Sequence, residues 1–336
     1  MKRALITGIT GQDGSYLADL LETKDYEIYG LVRRTSTDPF IRINHLIKND
    51  RVKLIYGNMR DKATLIRALE IAKPDEIYNL AGQSDVRISF DCPDETWAIN
   101  FEGVKMLADE AFKQNPKVKF YQASTSEMYG KTQPPQNEAS PFEPVSPYGE
   151  SKHKTHTDIV KALREKGHFI CSGILFNHES PRRGENFVTR KVTQNLVKIK
   201  LGMIEGFELG NLEARRDWGF AGDYVNAMWR MLQQEVADDF VIATGVSRTI
   251  REMVEMASEI LDLGLTWQGE GLDEIGITKD GKIIIRINKY FYRPNEVDYL
   301  RGDASKAKEV LGWVPQVSFK EMIAMMIEAD QKILTR

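Results

Sequence analysis

The sequence has little cysteine, little net charge and no long apolar run. Only two of its 336 residues are cysteine, Cys92 and Cys171. Two thiols without metal-ligand spacing exclude a disulfide framework and give no sign of a metal site, so we expect two small core residues in a reducing compartment. Apolar stretches such as Ile283–Ile285 are far too short to form a membrane-spanning helix.

The charge and the N-terminus exclude further classes of protein. A formal net charge of -3 provides no overall basic field that would recruit nucleic acid or an anionic membrane. Met1–Arg3 leads into a short apolar run and then into Thr7 and Gly8, before the apolar segment of a signal peptide can develop. We therefore expect a cytoplasmic protein that has neither nucleic acid nor a membrane as a partner.

Short apolar runs of strand length alternate with segments of helical period. The predicted strands are Ala4–Ile6, Tyr26–Val32, Val52–Tyr56, Glu76–Leu80, Val118–Gln122 and Phe169–Phe176. The predicted helices between them include Ser15–Leu21, Ala63–Ile71, Trp97–Phe112 and Lys152–Leu163. Such βαβ alternation predicts an α/β fold, a doubly wound parallel sheet of the Rossmann type with helices on both faces. Ligands of these sheets bind beyond the carboxyl ends of the strands.

This alternation ends at about Asn177. Basic helices, a short strand at Phe207–Leu209 and a glycine-rich stretch over 264–281 follow it. We predict a Rossmann domain over residues 1–177 and a smaller, mixed α/β substrate-binding lobe over 178–216 and 246–336. The segment 217–245 is expected to return to the first domain, because it ends in another run of strand character, Phe240–Ala243.

A glycine-rich turn follows the first predicted strand and opens directly into a helix. Gly8, Gly11 and Gly14 form the pattern G-x-x-G-x-x-G. Glycines permit a tight turn and let backbone N–H groups approach a pyrophosphate at the positive end of the helix. The alternative is a glycine-rich turn without a ligand, but the position directly after the first strand favours a dinucleotide site.

The next predicted strand ends in Arg33, Arg34, Thr35 and Ser36. An enzyme that prefers NAD usually has an acidic residue here to accept the ribose 2′-hydroxyl, whereas two cations and two hydroxyls suit a 2′-phosphate. The pattern therefore favours NADP over NAD, and a solvated basic turn is the alternative.

Two further motifs supply candidate catalytic groups. Tyr148 and Lys152 lie four residues apart, so on a helix they share a face, and the ammonium is expected to lower the pKa of the phenol towards working pH. Directly after the predicted strand Val118–Gln122 come Thr125 and Glu127, a hydroxyl and a candidate general base. A helix cap is the alternative role for Glu127, but an acid here favours carbon-acid chemistry.

With these motifs, the sequence from Ala4 to about Pro315 resembles the extended short-chain dehydrogenase/reductase family, and within it the GDP-mannose 4,6-dehydratases. The most specific matching strings are Leu175–Gly184, Phe187–Lys191, Gly210–Leu212, Arg215–Trp218 and Tyr292–Asp298.

The resemblance implies a role for each matching position. The catalytic set would be Thr125, Glu127, Tyr148 and Lys152. NADP would contact Gly8, Thr10, Gly11, Gln12, Asp13, Arg33, Ser36, Asn58, Met59, Leu80, Ala81, Gln83, Tyr148, Lys152, His178 and Arg183. The nucleotide sugar would contact Ser84, Glu127, Asn177, Val188, Lys191, Gly210, Arg216, Arg293 and Glu296. Cations suit its diphosphate, and a carboxylate suits the N–H donors of guanine.

The resemblance also implies a reaction and an assembly. GDP-mannose would be oxidised at C4, lose water across C5 and C6, and take the hydride back at C6, with the cofactor bound throughout. The basic segment Arg33–His45 would reach the cofactor site of a neighbouring subunit, which implies a homodimer or homotetramer.

Two departures from the family pattern leave the substrate open. Asn58 and Met59 replace an Asp-Leu pair, and Trp97 stands near the place of a cofactor-touching Tyr in a segment that looks longer than usual. Another GDP-sugar, such as a GDP-heptose, is an alternative substrate. The alternative functions are a nucleotide-sugar 4-epimerase or reductase, which would not need Glu127, and a non-catalytic protein that senses NADP.

Overall fold

The computed structural model describes residues 1–292, 297 and 299–335. The strands are β1 (Arg3–Thr7), β2 (Glu27–Val32), β3 (Val52–Tyr56), β4 (Glu76–Asn79), β5 (Lys119–Thr125), β6 (Ile170–Leu175), β7 (Asn177–Glu179), β8 (Phe207–Leu209), β9 (Arg215–Phe220), β10 (Asp239–Ile242), β11 (Ser247–Thr249), β12 (Thr266–Gln268), β13 (Ile275–Ile277) and β14 (Ile283–Ile287).

The α-helices alternate with these strands through much of the chain. They are α1 (Gln12–Glu22), α2 (Asn44–Lys48), α3 (Lys62–Ala72), α4 (Val86–Asp91), α5 (Pro93–Trp97), α6 (Gly103–Gln114), α7 (Pro147–Thr155), α8 (Ala162–Glu165), α9 (Val188–Lys200), α10 (Ala221–Leu232), α11 (Ile250–Ile260), α12 (Ser305–Leu311) and α13 (Phe319–Leu334). Two π-helical segments, Ala98–Glu102 and His156–Lys161, join α5 to α6 and α7 to α8.

Seven parallel strands form the large sheet, in the order β10-β6-β5-β4-β1-β2-β3. The predicted doubly wound α/β fold is confirmed. Each of the six predicted strands is present, with small differences at their ends. The largest difference is in β5, which continues past its predicted end at Gln122 and carries Thr125 to the carboxyl edge of the sheet.

The helix that carries Tyr148 begins earlier than its predicted start at Lys152. Ser146 caps α7, accepting a hydrogen bond from the Gly149 N–H at 3.1 Å, and Pro147 occupies the first helical position. Both residues are favourable at a helix N-terminus. The serine hydroxyl provides an acceptor for a backbone N–H that has no partner within the helix, and proline loses no hydrogen bond at the first helical position. Tyr148 and Lys152 therefore share one continuous helix.

Apolar residues fill both faces of the large sheet. Ala4 and Ile6 of β1 pack on the side of α1 and α10, while Leu5 packs on the opposite side with α3 and α6. All three side chains are fully buried. This is the pattern of a parallel sheet covered on both faces by helices.

A second body of structure lies beyond the carboxyl edge of the sheet. A four-stranded sheet, β12-β13-β14-β8, packs with α9, α11 and α13 around its own apolar core, and the glycine-rich stretch 264–281 holds the β12–β13 hairpin. Inside this body, Arg190 of α9 forms an ion pair with Asp330 of α13 at 2.7 Å, and Thr193 donates to the same carboxylate at 2.8 Å.

The segment from β9 to β10 connects the second body to the large sheet. β9 pairs with β7 and β11 in a separate three-stranded sheet, α10 packs on α1, and β10 then joins the edge of the large sheet beside β6. The division into domains at residues 177, 216 and 245 stays a prediction.

The prediction for one cysteine was wrong. Cys171 is buried on β6, but Cys92 is exposed, because it lies at the junction of α4 and α5 on the surface. Among the residues described, none of the helices has the length and apolar character to cross a membrane.

Candidate active site

A cleft of about 640 Å³ opens at the carboxyl edge of the large sheet. Its walls come from the glycine turn, the ends of β4, β5 and β6, helix α7, the segment 177–188 and the second body. This is the edge at which a doubly wound sheet binds its ligands.

The glycine turn has no room for side chains. Gly8 has a φ of +71°, and a Cβ there would lie 2.8 Å from the Ala81 nitrogen. A Cβ on Gly14 would lie 2.3 Å from the Gly8 carbonyl oxygen. Gly11 is the N-cap residue of α1 and has no side chain that could cap the helix. The first N–H groups of α1 are thus presented by bare backbone, which suits a phosphate group.

Helix α1 is tied to the segment after β6 by three contacts near the glycine turn. The Gln12 amide donates to the His178 carbonyl at 3.0 Å and accepts from the Ser180 hydroxyl at 2.8 Å. His178 Nε2 and Asp13 Oδ2 are 2.8 Å apart. Burial works against charge on both side chains, but each partner outweighs it, so the pKa of His178 is raised and the pKa of Asp13 is lowered.

Four candidate catalytic side chains form one buried cluster. Thr125 ends β5, and its hydroxyl accepts a hydrogen bond from the Glu127 N–H at 3.2 Å. The Thr125 side chain lies beside the Tyr148 phenol, where it acts to lower the pKa of that group. Thr125, Glu127, Tyr148 and Lys152 all line the cleft, and none is more than 8% exposed. The cap role expected as an alternative for Glu127 is taken by Thr125, whose hydroxyl caps the turn Ser126–Met128.

The prediction that the pKa of Tyr148 is lowered is wrong, because the pKa is raised. Burial, and to a smaller degree the Glu127 carboxylate, raise the pKa of Tyr148 to about 12, against the opposing effects of Thr125 and Arg183. Lys152 donates to the Ala123 carbonyl at 2.8 Å, and burial lowers the pKa of its ammonium to about 8. Residue spacing alone could not show that the ammonium has this backbone partner.

The far end of the cleft is built from side chains of the second body and of β9. The Lys191 ammonium of α9 lies 3.4 Å from the ring centroid of Phe291. A Cβ on Gly210 would lie 2.6 Å from the Phe291 carbonyl oxygen. Arg216 donates to the carbonyls of Val297 at 2.6 Å and Arg215 at 2.9 Å. Two cations and an aromatic ring thus meet at this end.

Most of the residues predicted for the site line this one cleft. They are Gly8, Gly11, Gln12, Asp13, Leu80, Ser84, Thr125, Glu127, Tyr148, Lys152, Asn177, His178, Arg183, Val188, Lys191, Gly210 and Arg216. Arg293 and Glu296 lie outside the described residues.

Seven predicted cofactor residues lie outside the lining of the cleft. Arg33 and Ser36 are exposed just after β2, and Met59 is buried in the core after β3. Asn58 accepts a hydrogen bond from the Arg60 N–H, at 3.0 Å, in the turn before α3. The other three are Thr10, Ala81 and Gln83. Trp97 packs edge-on against Phe101 and does not line the cleft.

Several residues that line the cleft were not predicted from the sequence. Asn186 donates to the Asp85 carboxylate at 2.8 Å, a contact between the two walls of the cleft. Arg42 and Phe291 also line it. Arg42 lies in the basic segment Arg33–His45, so its charge was visible in the sequence, but its return to the glycine turn was not.

Comparison with known proteins relates the whole chain to one family. A family model described as GDP-mannose 4,6 dehydratase matches residues 5–326. The chain is 49% identical to the GDP-mannose 4,6 dehydratase of Drosophila melanogaster, over 100% of this chain and 87% of that one. It is 48% identical to the human GDP-mannose 4,6 dehydratase, over 98% and 92% of the two chains. For the Vibrio cholerae GDP-mannose 4,6-dehydratase the identity is 44%, over 100% and 95%.

Solved structures share the fold at lower identity. A UDP-glucose 4-epimerase from Thermotoga maritima, crystallised with UDP-glucose, is 25% identical with a TM-score of 0.83, covering 98% of this chain and 99% of that one. A dTDP-glucose 4,6-dehydratase from Bacillus anthracis, in complex with NAD, is 19% identical with a TM-score of 0.81, covering 99% and 97%.

Proposed function

The chain belongs to the GDP-mannose 4,6-dehydratase family, and from this premise we propose that it is a hydro-lyase that converts GDP-mannose to GDP-4-keto-6-deoxymannose. The observation that carries the proposal is the buried cluster of Thr125, Glu127 and Tyr148 beside the glycine turn. It brings a phenol for an alcohol proton and a separate carboxyl for a carbon acid into one cleft.

NADP is the cofactor that we propose for this cleft. The residues present fit it, because Gly8, Gly11 and Gly14 leave a bare-backbone cradle for a diphosphate and Arg33 follows the neighbouring strand. Tyr148, Lys152, His178 and Arg183 would hold the nicotinamide half. When bound, this cofactor supplies the reversible transfer of hydride from C4 and back to C6 of the sugar.

Tyr148 and Thr125 act in the first half of the reaction. Tyr148 removes the proton from the C4 hydroxyl, and the Thr125 hydroxyl donates a hydrogen bond to the resulting C4 oxygen. The phenol must lose its own proton first, and its pKa of about 12 opposes that loss. The Lys152 ammonium, one helical turn away, would lower this pKa by turning from the Ala123 carbonyl to the phenol.

Glu127 acts in the second half. The C4 ketone makes the C5 proton acidic, Glu127 removes it, and the carboxyl then donates that proton to the hydroxyl that leaves C6 as water. C5 is finally protonated again by a group that exchanges with solvent. Two protons leave the sugar, from the C4 hydroxyl and C5, and two are returned, to the leaving hydroxyl and C5, so the protons balance.

The proposal is tested with the purified protein and GDP-mannose, without added nicotinamide nucleotide. We expect a 4-keto-6-deoxy product, solvent deuterium at C5 when the reaction runs in deuterated water, and the original C4 hydrogen at C6 of the same molecule. A product that differs from GDP-mannose only in its C4 configuration would instead identify a 4-epimerase. GDP-heptose in the same assay measures the selectivity for the sugar.

Two substitutions separate the proposed roles. Glu127→Gln should still exchange hydride at C4 but fail to eliminate water, and Tyr148→Phe should block the earlier step. Loss of a general base costs about 10²- to 10⁴-fold in rate. If Glu127→Gln makes the 4-keto-6-deoxy sugar at the unmodified rate, the dehydratase mechanism is wrong.

A homodimer or homotetramer is the assembly that we propose. The segment Arg33–His45 supports it, because residues 33–38 are exposed and Ile41, an apolar residue, is 77% exposed. Light scattering at working concentration checks the assembly, and a monomer would contradict it. The cytoplasmic location stays a prediction.

A further inference from the structure

We propose that a buried line of three side chains, Ser124, Ser172 and His156, carries protons between the cleft and the outer edge of the large sheet. This inference rests on the proposed function, because that reaction moves protons inside the cleft. Ser124 lines the cleft at the end of β5, Ser172 lies on β6, and His156 begins the π-helical segment after α7. We call these three residues the relay.

The side chains of the relay follow one another at short distances. The hydroxyl oxygens of Ser124 and Ser172 are 2.8 Å apart, and the Ser172 oxygen lies 3.2 Å from Nδ1 of His156. On the other side of the ring, Nε2 lies 3.5 Å from Oδ2 of Asp239. Asp239 begins β10, the edge strand of the sheet, and its Oδ1 pairs with Arg164 at 2.5 Å. The relay therefore crosses from β5 over β6 to the edge of the sheet.

Each member of the relay can both donate and accept a proton. A hydroxyl rotates between the two roles, and a neutral imidazole has a proton on one nitrogen and a lone pair on the other. Burial lowers the pKa of His156 to about 4, although Asp239 acts in the opposite direction, so the ring is neutral at working pH. None of the three residues is more than 5% exposed, and Phe142 packs edge-on against the imidazole. Protons can thus pass where bulk water does not reach.

The cleft end of the relay lies next to the groups that handle the proton of the C4 hydroxyl. In β5, Ser124 stands between Ala123 and Thr125. The Ala123 carbonyl accepts from the Lys152 ammonium, and Thr125 lies beside the Tyr148 phenol. A bound cofactor and nucleotide sugar would exclude water from this cleft. The relay offers a path to solvent that does not require the cleft to open.

A proton leaves the cleft by a series of exchanges in which each bond broken is matched by one formed. The Ser124 oxygen takes up a proton and releases its own to Ser172, and Ser172 releases its own to Nδ1 of His156. The Nε2 proton then leaves to the Asp239 carboxylate and to water at the sheet edge. The proposed reaction sends one proton out, from the C4 hydroxyl, and takes one back, to C5. The reverse series therefore restores the starting tautomer of His156 in every turnover.

The test removes one proton carrier at a time from the full-length protein. Ser172→Ala interrupts the relay, whereas Ser172→Thr keeps the hydroxyl. In His156→Gln, the amide still forms hydrogen bonds but does not pass a proton on. Ser172→Ala and His156→Gln should lower kcat with GDP-mannose by about tenfold to a hundredfold, with KM and the affinity for NADP unchanged. Ser172→Thr should recover most of the lost rate.

The solvent isotope effect separates a proton path from a structural role. When kcat is measured in water and in deuterated water, the ratio should be larger for Ser172→Ala and His156→Gln than for the unmodified protein, because proton transfer has become the slow step. Titration with NADP and the melting temperature show for each variant whether the fold is intact.

The matched control is Ser258→Ala, which removes another buried serine hydroxyl. Ser258 lies on α11 in the second body and accepts a hydrogen bond from the Leu265 N–H at 3.3 Å. This variant should lower the melting temperature, as Ser172→Ala does, but leave kcat and the isotope effect unchanged.

Three results would overturn the proposal. The first is an unchanged kcat in both Ser172→Ala and His156→Gln. The second is a lower kcat with an unchanged isotope effect, which would mean that the two side chains only support the fold. The third is a Ser172→Thr variant that binds NADP normally and is as slow as Ser172→Ala. If the unmodified protein makes no 4-keto-6-deoxy sugar from GDP-mannose, the proposed function fails instead.

Discussion

The two ends of the cleft are built from different chemistry. At the glycine-turn end, backbone from one continuous stretch of sequence, Gly8–Gly14, forms the surface. At the far end, side chains from α9, β9 and the segment after β14 meet, with Lys191, Arg216 and Phe291 as their main groups. A surface made of backbone tolerates no added atoms, whereas a surface made of side chains can adjust. We therefore expect similar substitutions at the two ends to have different effects.

The largest difference is expected between two glycines. A Cβ at Gly14 would lie 2.3 Å from the Gly8 carbonyl oxygen and 2.6 Å from the Ile9 Cα, both backbone atoms inside the turn. A Cβ at Gly210 would also meet backbone, the Phe291 carbonyl oxygen at 2.6 Å, but Phe291 is half-exposed and its segment can move into solvent. Gly14→Ala should lower the free energy of unfolding by about 3 kcal/mol, and it should weaken the affinity for the dinucleotide by about a hundredfold. Gly210→Ala should raise the KM for GDP-mannose and spare dinucleotide binding. Calorimetric titration and initial rates measure both effects, and equal losses of dinucleotide affinity would erase the contrast.

A smaller effect, confined to the far end, is expected for Lys191→Met. The ammonium would bind the diphosphate of the nucleotide sugar, and Phe291 holds it in place through the cation–π contact. Lys191→Met should raise the KM for GDP-mannose by about tenfold to a hundredfold with kcat less affected. Phe291→Leu, which leaves the charge but removes the ring, should have a smaller effect in the same direction. A KM that rises equally for both would show that the ring, and not the charge, contacts the substrate.

The same contrast between the two ends of the cleft explains which site residues could be predicted from the sequence. Gly8, Thr125, Glu127, Tyr148 and Lys152 lie in short local patterns, and the structure brings all of them to one cleft. Local spacing is enough when one turn or one helix face does the positioning.

The far end could not be derived in this way. Lys191 and Phe291 are a hundred residues apart in the sequence, and only tertiary packing brings them together. The resemblance to the family supplied Lys191, but no pattern pointed to Phe291. For Tyr148, spacing predicted the position of Lys152 correctly and the pKa wrongly, because burial and the Ala123 carbonyl are properties of the folded protein.

At the exposed edge of the glycine-turn end, we expect a substitution of Arg33 to change the preference for NADP over NAD by about tenfold. Arg33 follows β2 and is exposed, so it should contribute less than a buried guanidinium to binding a 2′-phosphate. The unmodified protein should bind NADP more tightly than NAD, and Arg33→Ala should narrow that gap by about tenfold. Calorimetric titration with both nucleotides gives the ratio, and equal affinities in the unmodified protein would refute the choice of NADP.

The smallest effect concerns the tie between the glycine-turn helix and the segment after β6. The pKa of His178 is raised, so its contribution to stability is complete below about pH 6.5 and is lost as the pH rises through its folded-state value. The pKa of Asp13 is lowered, so its contribution is complete above about pH 4 and is lost as the pH falls through its folded-state value.

Asp13→Asn should therefore lower the free energy of unfolding by about 1 to 2 kcal/mol between about pH 4 and pH 6.5, and by less at pH 9. Urea unfolding without added nucleotide, repeated across this range, measures the difference. A difference that stays constant up to pH 9 would show that the charge on His178 is not involved.

The ion pair between Arg190 and Asp330 bears on the order in which the protein is made. During synthesis, α9 leaves the ribosome well before α13, and until then Arg190 has no counter-charge to meet. An unpaired guanidinium is costly to bury, by about 3 to 5 kcal/mol when its partner is missing, so α9 is expected to keep this face in water until Asp330 arrives. Helix α9 also carries Lys191, so the sugar-nucleotide end of the cleft would be the last part of the nascent protein to mature.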